Sequence, residues 1–192
     1  MLRSLYNWTL SLAERRGAMW ALAVIAFLES SIFPIPPDVL IIAMVLAQPK
    51  KAYQVALVAT VASVLGGLAG YLIGYGAYTT IGQPILETLG KAHLFEEFQA
   101  KYNEWGVWVV LIGGLSPFPY KVITILSGAT GLSLPVFIVS SIIARGLRFY
   151  VVAALLKHFG PPIKEFIEKR LGLVFTVFLA LLIGGFVLAS RF

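Results

Sequence analysis

The chain has 192 residues, 59% of them hydrophobic and 12% charged, with no cysteine and a formal net charge of +6. A soluble domain carries roughly 25% charged residues, so this composition excludes an ordinary soluble domain and points to an integral membrane protein. The absence of cysteine excludes disulfides, thiolate metal sites and cysteine nucleophiles. The basic residues cluster between apolar stretches, which reads as membrane topology and contact with anionic lipid rather than nucleic-acid binding.

Taken in chain order, Leu2, Leu5, Trp8 and Leu12 share a helical face that Arg3, Ser4, Ser11 and Arg15 avoid, predicting an interfacial amphipathic helix over residues 1–16. Glu14-Arg15-Arg16 stands where a secretory signal would carry small residues, so a signal peptide is not expected. Gly17 to Phe33 is apolar apart from Glu29 and two serines, and Pro34, Pro36 and Pro37 then break it beside Asp38. Proline removes a backbone donor and clashes with the preceding turn, so no helix continues through such a cluster. The apolar piece from Pro37 to Gln48 is shorter than the roughly 20 residues a spanning helix needs. The economical solution is a re-entrant hairpin in which 17–33 enters, the prolines turn, and 37–48 returns. Ala52 to Ile81 is a full span with a small-residue ridge at Gly66, Gly70 and Gly74.

Residues 83–105 are polar with an apolar edge and read as surface helices. Gly106 to Leu115 is short and apolar, and Pro117 and Pro119 break it beside Lys121. Pro135 to Leu156 is a second full span, carrying Arg145 and Arg148. Lys157 to Arg170 reads as a basic loop with Pro161-Pro162, and Leu171 to Ser190 as a C-terminal span, the two filling 161–192 after the second repeat.

The two broken units overlay. Pro34-Ile35-Pro36-Pro37-Asp38 matches Pro117-Phe118-Pro119-Tyr120-Lys121, and each is followed by Gly-Leu-x-x-Tyr, at Gly67–Tyr71 and Gly146–Tyr150. The repeats are 17–82 and 106–160, each a hairpin plus one crossing, so the second copy inserts upside down. The expected fold is therefore all-α and integral to the membrane. It is an inverted repeat of two re-entrant helical hairpins, each followed by a transmembrane helix, with an N-terminal amphipathic helix and a C-terminal transmembrane helix. Loop charge agrees: Arg3, Arg15, Arg16, Lys50, Lys51, Lys157, Lys164, Lys169 and Arg170 fall on one side, against Lys91, Lys101 and Arg191 on the other. The positive-inside rule then puts the N-terminus in the cytoplasm.

Glu29, Asp38, Lys121, Arg145 and Arg148 are the charges within apolar sequence. Each costs roughly 2.5–3.5 kcal/mol near the bilayer centre on insertion scales, so they are expected to pair or to line a wet cavity. Asp38 and Lys121 hold matching repeat positions and are expected to meet where the hairpin tips meet. Asp38 is equally suited to cap the returning half-helix, and Glu29 to satisfy an arginine. Arg145 and Arg148, three apart, share a helix face suited to a phosphate. Ser30, Ser31 and Ser116 are expected to satisfy freed backbone groups, and the tryptophans to anchor at interfaces. No histidine has metal-ligand spacing, no cofactor motif is present, and no nucleophile–base pair suggests an enzyme.

The Pro34-x-Pro36-Pro37-Asp38 break after Glu29, the Gly70-Tyr71-x-x-Gly74 ridge, Gly113-Gly114-Leu115-Ser116-Pro117 with Lys121 and Ser127-Gly128, and Arg145 with Arg148 together resemble the DedA family over residues 17–160. Its shared core is also called the VTT or SNARE-associated domain. The resemblance implies facing re-entrant hairpins and a transporter of phospholipids or polyprenyl-phosphate carriers in the bacterial inner membrane, proton-dependent in some members. Glu29 and Asp38 would then relay protons or balance charge, and Lys121, Arg145 and Arg148 would receive a phosphate head group. Gly114 and Tyr120 stand where the family often has arginine, so the chain looks like a shorter subfamily with a Pro-Tyr-Lys tip. The expected partners are membrane lipids, with protons and a second copy of the chain as further candidates. A membrane assembly factor that transports nothing and a proton-coupled carrier of small solutes are the alternatives.

Overall fold

The computed structural model describes residues 17–33, 36–116 and 118–189, with side chains described to Gly160 and at Pro162. The interfacial helix expected over 1–16, and the breaks at Pro34 and Pro117, lie outside the described residues. Those described are helical or in turns, with no strand among them.

Two short helices form the first unit, α1 (Ala18–Ser31) and α2 (Asp38–Ala47). A 3₁₀ turn at Pro49–Lys51 leads into α3 (Ala52–Ala77), which continues through a π-turn at Tyr78–Gly82 into α4 (Gln83–Thr88). After a turn at Gly90, whose φ of 65° is left-handed and suits glycine, α5 (Ala92–Glu104) folds back. The second unit is α6 (Gly106–Leu115) and α7 (Tyr120–Ala129), followed by α8 (Leu134–Ala189). Two helical runs are long and apolar enough to cross a membrane, Pro49–Thr88 with 40 residues and Leu134–Gly160 with 27. The paired pieces Ala18–Ser31, Asp38–Ala47 and Gly106–Leu115 are apolar but shorter.

One expectation is corrected: residues 157–170 are not a loop, because α8 runs through them. Pro161 and Pro162 are adjacent, so their missing donors fall within one turn, and the Lys, Glu, Ile, Leu and Phe residues around them are compatible with helix.

The long helices α3 and α8 run antiparallel. The Tyr53 and Tyr150 rings stack 6.2 Å apart at one end, and those of Tyr71 and Phe137 lie 5.2 Å apart at the other. Each long helix packs on the first arm of its own hairpin and the second arm of the other: α3 on α1 and α7, α8 on α6 and α2. Exchanging the two repeats maps this pattern onto itself, as the sequence repeat requires. The glycine ridge makes the packing close. A Cβ on Gly66 would strike the Phe27 carbonyl of α1, one on Gly70 would meet both Thr124 and the Ser30 carbonyl, and one on Gly74 would strike the Ile125 carbonyl of α7. One face of α3 therefore holds both hairpins. Two apolar cores result, one around Leu22, Ile41, Val55 and Phe149, the other around Tyr71, Val110, Tyr120 and Phe137. The buried charges lie where these cores meet.

Candidate functional site

Two ion pairs tie α8 to the first hairpin. An Arg145 terminal nitrogen lies 2.9 Å from Glu29 Oε2, and one of Arg148 lies 2.9 Å from Asp38 Oδ2. They differ in surroundings. The Arg145 side chain is 2% exposed and that of Glu29 14%, whereas Arg148 and Asp38 keep 19% and 22%.

The inner pair belongs to a closed ring of hydrogen bonds. Arg145 Nε donates to Ser63 Oγ at 2.7 Å, Ser63 Oγ and Ser30 Oγ lie 2.7 Å apart, and Ser30 Oγ donates to Glu29 Oε2 at 3.0 Å. Because Ser30 gives its one proton to Glu29, Ser63 must give its own to Ser30 while accepting from Arg145, and every bond in the ring has a fixed direction. The guanidinium is also sandwiched, 4.8 Å from the Tyr120 ring centroid and 4.6 Å from that of Phe149. Tyr120 is itself buried and donates to Ser141 Oγ at 2.6 Å.

The outer pair bridges the two hairpins. Arg148 sends one terminal nitrogen to Asp38 at the start of α2 and the other to the Ser116 carbonyl at the end of α6, at 2.7 Å. Lys121 Nζ, on α7, donates to the Ile32 carbonyl of the first hairpin at 3.1 Å, and Thr124 Oγ1 donates to the Ser30 carbonyl at 3.0 Å. Among the described residues Lys121 has no carboxylate partner, which leaves the five-charge cluster with one surplus positive charge.

Several sequence expectations change. Asp38 pairs with Arg148 and not with Lys121. The reason is register: Pro37 and Pro119 precede the two returning helices, so the helix start at Asp38 corresponds to Tyr120 and not to Lys121. A step of one residue rotates a side chain by about 100° around a helix, which turns Tyr120 inward and Lys121 toward Ile32. Asp38 is not a side-chain cap; Pro37 holds the cap position, and Asp38 adds its charge to the positive end of α2 from the first turn. Arg145 and Arg148 pair with separate carboxylates, Glu29 and Asp38. Ser31 and Ser116 satisfy backbone carbonyls as expected, those of Phe27 and Gly113, whereas Ser30 joins the ring. Ser63 was not foreseen; it lies four residues before Gly67, on the row beside the Gly66–Gly70–Gly74 ridge, which was the available signal. Among the described residues no group of His, Cys, Asp or Glu has metal-site geometry.

The VTT domain model matches residues 35–158, a stretch that holds both helical hairpins' returning arms, all of α3 and α8 as far as His158. The chain therefore belongs to the VTT-domain, or DedA, family of membrane proteins. It is 32% identical over 188 residues to an uncharacterized protein of Haemophilus influenzae, covering 97% of each chain. It is 37% identical over 169 residues to an uncharacterized protein of Histophilus somni, covering 86% of this chain and 88% of that one. No solved structure matches it.

Proposed function

We propose that this membrane protein moves lipids between leaflets, as a flippase or scramblase for phospholipid or polyprenyl phosphate, from the bacterial inner membrane with its N-terminus in the cytoplasm. One observation carries the reading: Arg148 and Lys121 join the two hairpin tips largely through neutral carbonyls, those of Ser116 and Ile32. A phosphate oxygen is a stronger acceptor than a carbonyl, and charge-assisted bonds are roughly twice as strong as neutral ones. A head group arriving between the tips can take over these donors while the hairpins part. The re-entrant passage of the hairpins supplies the path, because irregular backbone at membrane depth is tolerated only against protein or a wet cavity. Asp38 is then the acid that exchanges its arginine for a proton or for substrate-linked charge. Arg145, consumed by the ring, holds the scaffold and leaves head-group binding to Arg148 and Lys121.

Purified protein in liposomes should move labelled phospholipid or polyprenyl phosphate between leaflets. No movement, with or without a pH gradient, would overturn the proposal. The Glu29–Arg145 ring favours a second reading, a membrane assembly or homeostasis factor whose buried charges are purely structural. Under that reading Asp38→Asn with Lys121→Met changes the cellular phenotype only in proportion to the folded protein it costs.

A further inference from the structure

The helix α5 lies outside the charged site, and its three sectors have different chemistry. One sector is taken up by protein. Tyr102 Oη donates to the Ile123 carbonyl at 3.3 Å and lies 3.0 Å from Ser127 Oγ, while Gln99 and Asn103 each donate to the Thr130 carbonyl at 2.9 Å. These bonds key α5 to the returning arm of the second hairpin. A neighbouring sector is an apolar stripe that the described residues leave open: Leu94, Phe98 and Trp105 are 52%, 43% and 61% exposed. At about 100° per residue these three fall within a narrow arc bordered by Lys91 and Lys101. Glu96, Glu97 and Glu104 all lie in the remaining sector and are exposed.

We propose that α5 lies in the membrane–water interface, with Leu94, Phe98 and Trp105 at the head-group–acyl boundary, as an anchor fixing the second hairpin to the bilayer surface. The partner is lipid and not protein on two grounds. Lysines flank the stripe and all three acids are turned away, which complements an anionic surface and is the pattern of helices lying on membranes. Three side chains are too few for a stable protein interface, which buries roughly 800 Å² on each partner. Trp105 is followed by Trp108, also exposed, at the start of α6, and tryptophan is enriched at this level of a bilayer.

This inference does not depend on lipid transport, and its test reads no transport. The chain has no cysteine, so nitroxide labels can be placed singly on the full-length protein by Leu94→Cys, Phe98→Cys, Glu97→Cys and Glu104→Cys. All four sites are exposed, so folding is preserved, and elution as a single species from a sizing column checks it. In vesicles of phosphatidylcholine with phosphatidylglycerol, collision with oxygen should exceed collision with a water-soluble nickel chelate at 94 and 98, with the reverse at 97 and 104. Nickel-dominated collisions at all four positions would place the helix in water and overturn the proposal. Shielding of 94 and 98 from both reagents would show a protein cover and overturn it equally.

Discussion

Arg145 and Arg148 stand three residues apart in the same helix, yet burial separates their roles. Arg145 is 2% exposed with Glu29 as its counter-ion. Removing one member of such a pair leaves the other buried and uncompensated, which costs about 3–5 kcal/mol, whereas replacing both by apolar groups of similar volume is often neutral. Arg145→Met alone should therefore lower the thermal unfolding midpoint in detergent sharply, and Glu29→Leu with Arg145→Met should recover most of the loss. A double variant as unstable as the single one would show that the ring stabilises by more than charge compensation. The Asp38–Arg148 pair, about a fifth exposed, is less deeply buried than the inner pair, so breaking it costs less than the roughly 3–5 kcal/mol typical of a fully buried pair. Arg148→Gln should lower the unfolding midpoint less than Arg145→Met does while reducing lipid movement, and the exchange Asp38→Arg with Arg148→Asp should restore part of that movement. Five charges in apolar sequence told that pairing must occur, but not who pairs with whom. That choice depends on helix rotation, and a shift of one residue in where α7 begins was enough to send Lys121 to a carbonyl and Asp38 to an arginine.

At the scale of elements, α3 is the piece on which both hairpins rest. Its glycines are required by neighbours and not by their own backbone, since Gly66 and Gly74 face main-chain carbonyls that cannot swing aside. Gly74→Val should lower the folded yield and the unfolding midpoint strongly by pushing α7 away. Gly76→Ala, at a position with open space, should be neutral or raise stability by up to about 1 kcal/mol through helix propensity. Equal effects at the two sites, measured by thermal unfolding in detergent, would contradict the close-packing account. This part of the architecture was legible: the i, i+4 spacing of the ridge and the short apolar pieces correspond to elements of the structure, and Pro37 and Pro119 stand at the starts of the two returning helices. The boundary after Leu156 was not, because Pro161-Pro162 and the basic residues beside it resemble a loop in composition while the backbone continues as helix.

For the whole molecule, antiparallel long helices and the exchanged contacts of the hairpins give the sequence repeat a three-dimensional form. If both hairpins are re-entrant, Gly17→Cys and Gln48→Cys should react with a membrane-impermeant thiol reagent from the same side, and Lys91→Cys from the opposite side. Labelling at 17 and 48 from opposite sides would turn the first hairpin into a crossing. The central claim is that the tips, held by Arg148 between Asp38 and Ser116, form the point through which a lipid head group passes. The measurement closest to it is leaflet exchange of a labelled phospholipid or polyprenyl phosphate in vesicles carrying either the native chain or Arg148→Gln, at matched folding and protein density. The account predicts exchange above protein-free vesicles for the native chain and a loss of about tenfold in rate for the variant, the effect of about 1.4 kcal/mol at the transition state. Native protein indistinguishable from empty vesicles, or a variant as fast as the native chain, would contradict it.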